Sequence, residues 1–362
     1  MRIGIPDLDQ FSPQRGIGRY ATTLVRYWRD WGHEVTSVSA REVSFPVLRN
    51  CRWGLLGDLD KVDVLFLPNY AGAELIYFLR KSKPVIVTVH DIGLIDSKAD
   101  KAANTILTTM AVRFALLATS HAQATIVPSS FTKERLIAYD HRFAPKVHIV
   151  HHGVDHDRFF PRSRSESRES LRQHGFDLSI EDFVLLYVGA EYRRKNLEIL
   201  VEALRILRQR CPRAKLLKVG SAHARDQRAR TLVAIEEAGL VIGRDVILAE
   251  NVAESVLAEV YGAADVYVSA SEYEGWNLPV LEAMACGLPL VVSNASSFPE
   301  QAGPAAVYAD LYDPQAFATK LMELAQNPPP RPVQQSLHMA AAFSWERTAQ
   351  DTLQLLSALS QL

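Results

Sequence analysis

Short runs of β-branched and other apolar residues alternate with longer segments in which apolar residues recur every three or four positions. In the first part of the chain the short runs are RIGIP, HEVTSVSA, DVLFLP, PVIVTVHD, ATIVPSS and VHIVHHG, and RYATTLVRYWRDWG is a typical helical segment. Such alternation predicts successive βα units that build a parallel sheet. The second part repeats the plan, with FVLLYVG, AKLLKVG, DVILAE, DVYVSA, PLVVSN and AAVYAD as strands. Its helices are NLEILVEALRILRQR, RARTLVAIEEAG and ESVLAEVYGAA. The predicted class is α/β, with two Rossmann-like, doubly wound domains facing each other across a cleft. Ligand crevices are expected at the carboxyl ends of their strands.

The apolar pattern lapses once in HHGVDHDRFFPRSRSESRESLRQHG and again at NPPPRPV, ahead of the amphipathic FSWERTAQDTLQLLSAL. Turn-forming and charged stretches of this kind mark domain junctions. The expected division is residues 1–155 plus 344–362 for one domain and 156–343 for the other. At 362 residues the chain exceeds the size at which one core stops growing, so two cores fit its length.

Composition adds exclusions. With 48% hydrophobic and 22% charged residues the chain reads as a soluble globular enzyme. No apolar run approaches bilayer length, and MRIGIPDLDQ carries aspartates where a signal peptide needs an apolar core, so the expected location is the cytoplasm. Cys51, Cys211 and Cys286 are too widely spaced for a disulfide framework or a zinc site. A net charge of −1 gives no reason to invoke nucleic acid. The balance is uneven, however: 19 Lys+Arg against 15 Asp+Glu up to Asp155, and 21 against 26 beyond it. The slightly basic first half suits contact with an anionic membrane at its inner face, or is simply a solvated surface.

Candidate chemistry clusters at strand ends. GIGRYA, with Gly16 and Gly18, has dinucleotide-motif spacing, but DLDQFSPQR separates it from its strand and no acid ends the next one. It reads instead as a loop entering a helix N-terminus, where small residues let amides approach an anion. After FVLLYVG, the residues Arg193, Arg194 and Lys195 gather before a helix that Asn196 is placed to cap, a cluster suited to a diphosphate. In SEYEGWNLPVLEAMACGLPL, Asn277 is an expected N-cap, Pro279 fits the first turn, and Gly287 with Pro289 closes the helix. Amides from Gly275 through Trp276 and Asn277 to Leu278 would then face an anion, with Trp276 packing beside the site. Glu282, in the second turn, suits vicinal hydroxyls such as those of a ribose. Glu274, before the helix, suits a sugar hydroxyl or a carbon gaining positive charge. His90 ends its strand beside Asp91, where it serves either the cleft or the turn itself.

Taken in order, GIGRY, TVHD, VPSSFTKERL, HHGVDHDRFFP, the RKN turn, EGWNLPVLEAMACGLPLV and FSWE span nearly the whole chain. The ordered set closely resembles the retaining glycosyltransferases of family four, which have the GT-B fold. The resemblance implies a hexosyltransferase acting in polysaccharide, lipopolysaccharide or other glycan assembly. Its donor would be a nucleotide-diphosphate sugar, of mannose or another hexose, held by the C-terminal domain. Its acceptor would be a saccharide or lipid-linked saccharide on the N-terminal side. Glu274 would contact the donor sugar, Glu282 the ribose, and Arg194 with Lys195 the diphosphate. Gly16 and Gly18 would approach the diphosphate, and His90 would touch the sugar near the reacting carbon.

Three departures from the family stand out: Asn277 occupies a position where the family often has Gly, Gly189-Ala190-Glu191 replaces a phosphate-binding Arg found in some members, and the loop IGLIDSKADKAAN after TVHD offers little to assign to an acceptor. The expected chemistry needs no metal or other cofactor, because two cations and a helix dipole carry the growing phosphate charge. Asp7-Leu8-Asp9 is the one acidic pair at a strand exit and is not convincingly placed for a divalent ion. The alternatives are a sugar-nucleotide 2-epimerase, which needs no acceptor, and a non-catalytic subunit that binds nucleotide sugar.

Overall fold

A computed structural model describes residues 1–6, 8, 11, 16–38, 59–73, 76, 83–103, 105–222 and 225–361, with backbone alone at 102–103 and 225–226. Cys51, Asp7 and Asp9 lie outside the described residues. The chain divides into two compact units, Met1–Gly153 with Ser344–Leu362, and Val154–Phe343.

The first unit carries a six-stranded sheet in the order β2-β1-β3-β4-β5-β6. Its strands are β1 (Arg2–Pro6), β2 (Glu34–Val38), β3 (Val64–Leu67), β4 (Val85–Thr88), β5 (Ala124–Val127) and β6 (Val147–Ile149). Every pairing is parallel, as in Ile3 opposite Val35 and Phe66 opposite Ile86. Strands β3, β4 and β5 are buried along their whole length, which is why they read as unbroken apolar runs rather than alternating ones. The Trp345–Ser360 helix closes this unit. Trp28 donates its indole N–H to Ala349 O at 3.0 Å, and Thr348 Oγ1 donates to His151 O at 2.8 Å. Gly153 sits so close to this return that a Cβ there would lie 2.1 Å from the Ser344 carbonyl carbon.

The second unit repeats the plan in the order β12-β11-β10-β7-β8-β9, again all parallel. Here β7 is Phe183–Val188, β8 Ala214–Val219, β9 Val246–Ala249, β10 Val266–Ser269, β11 Leu290–Ser293 and β12 Ala306–Ala309. Side chains of β7 alternate between two cores. Val184 and Leu186 join the cluster beneath helices Glu254–Ala263 and Leu278–Ala285, while Leu185 and Tyr187 join Leu200, Leu204 and Phe317 on the opposite face. Fully burying each such aliphatic side chain contributes about 1.5–3 kcal/mol. In this unit the chain winds outward from β7 through β8 to β9, then restarts at β10 on the other side of β7. The exits of β7 and β10 therefore lie side by side, at the point where doubly wound sheets leave a crevice. No helix among the described residues is long and apolar enough to cross a membrane.

Candidate active site

Both motifs that the sequence singled out in the second unit emerge at this switch point. Beyond β7, Arg193–Lys195 form a single 3₁₀ turn. The Arg194 carbonyl accepts the Glu272 amide at 2.7 Å and the Ser271 hydroxyl at 3.3 Å, tying the β7 exit to the β10 exit. The Arg194 guanidinium lies 4.7 Å from the centre of the Tyr192 ring, a cation–π contact. Lys195 Nζ donates to Glu274 Oε1, and the Asn277 side-chain amide donates to the same oxygen at 2.9 Å. The lysine and glutamate side chains are only 14% and 7% exposed, so their mutual attraction is weakly screened by solvent. The Glu274 amide is anchored in turn on Ser296 Oγ at 3.1 Å.

The Leu278–Ala285 helix begins as its sequence requires. Asn277 Oδ1 accepts the Val280 amide at 3.2 Å, and Pro279 stands in the first turn. Gly287, at φ 67°, ends it in a conformation that favours glycine. The expected forward-facing run of amides is interrupted, however. Asn277 N–H donates to Gln301 Oε1 at 3.3 Å, and Gln301 Nε2 donates back to Asn277 O at 2.8 Å. Asn277 and Gln301 are both buried, and a buried amide takes the partner that packing offers it. Asn196 also departs from expectation: it sits at φ 47° with no side-chain cap, its Nδ2 lying 3.5 Å from Leu311 O instead. Gly275 and Trp276 are buried and Leu278 is partly so; Trp276 packs edge-on to Phe343, with ring centroids 5.2 Å apart. Glu282 is 4% exposed and accepts the Tyr261 hydroxyl at 2.5 Å. Burial first, and then the Glu282 carboxylate, push the Tyr261 hydroxyl well above its usual range, so it stays protonated as the donor.

A group of charges that the sequence reading missed lies at the exits of β7 and β8. Glu191 pairs with Lys218 at 2.6 Å and Arg228 at 2.8 Å, and accepts the Thr231 hydroxyl at 2.9 Å. The Lys218 side chain is fully buried, and Nζ also donates to Gly220 O at 2.5 Å. Burial pulls the Lys218 ammonium down from its ordinary range, and the Glu191 carboxylate acts against that shift. Two strand-exit loops meet here: a Cβ on Gly220, whose φ is +121°, would lie 2.7 Å from Gly189 O. The available signal was a lysine inside an apolar strand, AKLLKVG, which demands a buried acid nearby.

His90, Gly16 and Gly18 belong to the first unit. Gly16 opens the Gly16–Asp30 helix and Gly18 is buried in its first turn, so both glycines are helical rather than part of a loop. His90 Nε2 lies 2.8 Å from Pro68 O and Nδ1 lies 2.9 Å from His152 Nε2. A carbonyl can only accept, so Nε2 of His90 carries the proton. With both rings neutral, its Nδ1 accepts from His152 Nε2–H. Burial pulls both imidazoles below their ordinary range, His152 far below. Tyr20 packs edge-on to His90 at 4.9 Å and its hydroxyl meets Thr88 Oγ1 at 3.1 Å. Both ring nitrogens of His90 are thus engaged by the protein. Among the described residues no group of three His, Cys, Asp or Glu forms a metal-binding cluster.

Comparison with known proteins follows the same division of the chain. The sequence family described as Glycosyltransferase Family 4 matches residues 44–158, and the one described as Glycosyl transferases group 1 matches residues 182–327. The O-antigen chain mannosyltransferase B of Escherichia coli is 31% identical over 64% of this chain and 60% of its own length. Mannosylfructose-phosphate synthase of Agrobacterium fabrum is 29% identical over 60% of this chain and 48% of its own. The matched region therefore spans between about half and three fifths of these relatives. A sucrose-phosphate synthase structure from Thermosynechococcus elongatus superposes with a TM-score of 0.79 at 21% identity, covering 99% of both chains. The Anabaena protein HepE, solved with UDP and glucose, gives 0.76 at 18% identity over 99% of this chain and 100% of its own. These likenesses show a GT-B architecture.

Proposed function

The chain belongs to the family 4, group 1 glycosyltransferases, and from that premise we propose that it transfers a hexose from a nucleoside-diphosphate donor to a saccharide or lipid-linked saccharide. Mannose is the first choice of sugar, since two of its relatives are named for mannosyl chemistry, and lipopolysaccharide or another surface polysaccharide is the setting that the O-antigen relative suggests. A nucleotide-sugar donor is supported by neighbours solved with UDP and UDP-glucose. Work on a lipid-linked acceptor would bring the protein to the inner face of a membrane.

The observation that carries this reading is the convergence of Lys195 and the Asn277 amide on one oxygen of Glu274, at the crevice between β7 and β10. As the bond from the anomeric carbon to the leaving phosphate lengthens, negative charge grows on the phosphate. Arg194, Lys195 and the N-terminus of the Leu278–Ala285 helix stabilise that charge without rearrangement. Glu274 takes a sugar hydroxyl and balances positive charge at the anomeric carbon, while Glu282, aimed by Tyr261, takes the ribose hydroxyls. The acceptor attacks the face that the phosphate leaves, with retention of configuration and without a metal.

A thermal-shift screen against GDP, UDP, ADP and dTDP tests the reading, because a ligand that binds only the native state raises the melting temperature. One diphosphate is expected to stabilise the protein, and the matching nucleotide sugar to turn over in EDTA only when acceptor is present. Stabilisation by none of the four, or conversion of the sugar itself without acceptor, as a 2-epimerase would give, overturns the proposal.

A further inference from the structure

Gln301 is fully buried in the short Phe298–Ala302 helix, whose Phe298 and Ala302 belong to the apolar core. A carboxamide in such a place costs free energy unless both its ends are hydrogen-bonded. Here both ends go to one residue: Oε1 accepts the Asn277 N–H at 3.3 Å, and Nε2 donates to the Asn277 carbonyl at 2.8 Å.

The clamp holds the main chain of a residue whose side chain has two tasks. Asn277 Oδ1 accepts the Val280 amide at 3.2 Å, a place that only an acceptor can fill, so Nδ2 faces the other way and donates to Glu274 Oε1 at 2.9 Å. Lys195 donates to the same oxygen. Oε1 is thus filled from two sides, whereas Oε2 takes no donor among the described residues and remains the oxygen able to receive one from a ligand. The rest of the stretch after β11 anchors the same loop. Ser293 Oγ donates to Ser271 O at 2.6 Å, and Ser296 Oγ accepts the Glu274 N–H at 3.1 Å. Ser296 does so at φ 53°, an uncommon conformation for a residue other than glycine. Ser271, Glu274 and Asn277, three residues apart, are therefore each tied to this one stretch.

We propose that Gln301 is a positioning residue for the transfer: by clamping the Asn277 main chain it aims the Asn277 amide at Glu274 Oε1 and keeps Oε2 turned to the donor sugar. The proposal rests on the transferase reading for the identity of that ligand. Gln301 itself touches no substrate. It acts through Asn277, and a glycine at 277 would keep both bonds to Gln301 while losing the tie to Glu274.

Gln301→Met keeps the length of the side chain and removes both bonds. With the nucleotide sugar that wild type turns over, kcat is expected to fall about ten- to a hundredfold, as for a reacting group displaced by about 1 Å, with KM changed less than about threefold. Affinity for the nucleoside diphosphate, read by calorimetry, should also stay within about threefold, because Arg194 and Lys195 lie on another loop. In an Asn277→Gly background the same substitution should cost less than about twofold in kcat, since the tie to Glu274 is already gone. A merely structural role gives losses that add, and a diphosphate affinity that falls with kcat. Either of those results overturns the proposal, as does wild-type kcat in Gln301→Met. Should Gln301→Met not fold, Gln301→Glu keeps the shape and the acceptor and carries the same test, with an expected loss of about tenfold. Crystal structures of wild type and variant decide the placement without turnover: Glu274 Oε2 is expected to move by about 1 Å, and an unmoved carboxylate overturns the proposal. Wild-type protein that turns over no nucleotide sugar would overturn the transferase reading alone, and the same crystal comparison would still decide whether Gln301 aims Glu274.

Discussion

Lys195 and Glu274, carried by the exits of two adjacent strands, form an ion pair that is almost wholly shielded from solvent and shares its acceptor oxygen with Asn277. Removing one member leaves the other charge uncompensated, at a cost of about 3 kcal/mol. Lys195→Ala is therefore expected to lower both the melting temperature and kcat, the latter by roughly two to three orders of magnitude. The Lys195→Met/Glu274→Gln pair should regain much of the melting temperature without regaining kcat. Turnover restored along with stability would mean that the pair is structural only.

Glu282→Ala should chiefly weaken nucleoside diphosphate binding, by about 1–3 kcal/mol, as for loss of a charged hydrogen bond. Tyr261→Phe removes the donor that fixes that carboxylate and should show a smaller loss in the same direction. Titration calorimetry of both variants checks the order; equal affinities for wild type and Glu282→Ala would move the ribose contact elsewhere.

The paired imidazoles give the protein an acid-sensitive window. His90 and His152 are held neutral by burial, so their folded pKa values lie below the unfolded value of about 6.5. Their stabilising effect is complete above that value. It is lost as the pH falls towards the folded values, because the unfolded chain takes up protons that the folded one refuses. The melting temperature should decline between about pH 7 and pH 5.5, each neutral histidine costing up to about 1.4 kcal/mol per pH unit. His152→Asn keeps a donor for His90 and should flatten that decline; an unchanged slope would place the titration elsewhere.

Glu191 neutralises two largely buried cations, Lys218 and Arg228, so Glu191→Ala should cost about 3–5 kcal/mol. For a unit of this size that corresponds to a fall of roughly 6–20 °C in the melting temperature. Lys218→Met with Glu191→Gln should be milder than Glu191→Ala, because the lysine charge disappears with its partner. Calorimetric scans of the three proteins check this ranking.

Much of the architecture was legible because parallel strands buried on both faces leave apolar runs, and all twelve such runs are strands. The loops RRK and EGWN could be located for the same reason, each lying three residues beyond one of those runs. What lay beyond reach was pairing at a distance. Gln301 clamps Asn277 from 24 residues away and Tyr261 meets Glu282 from 21, neither contact leaving a trace in local spacing. Glu191 illustrates the same limit. Read along the chain, it stands near the place of a phosphate-binding arginine. In space it is a buried acid whose partners come from the next strand and the helix after it.

The return of the chain at Ser344 also determines how the protein can be dissected. Trp28 reaches Ala349 and Gly153 touches Ser344, so the first unit is assembled from two stretches separated by the whole of the second. A fragment ending at Gly153 would strip the indole N–H of its acceptor and uncover the surface on which the Trp345–Ser360 helix rests. Only a splice joining Gly153 to Ser344 through a short linker would retain both stretches, whereas the second unit can be excised as one uninterrupted piece.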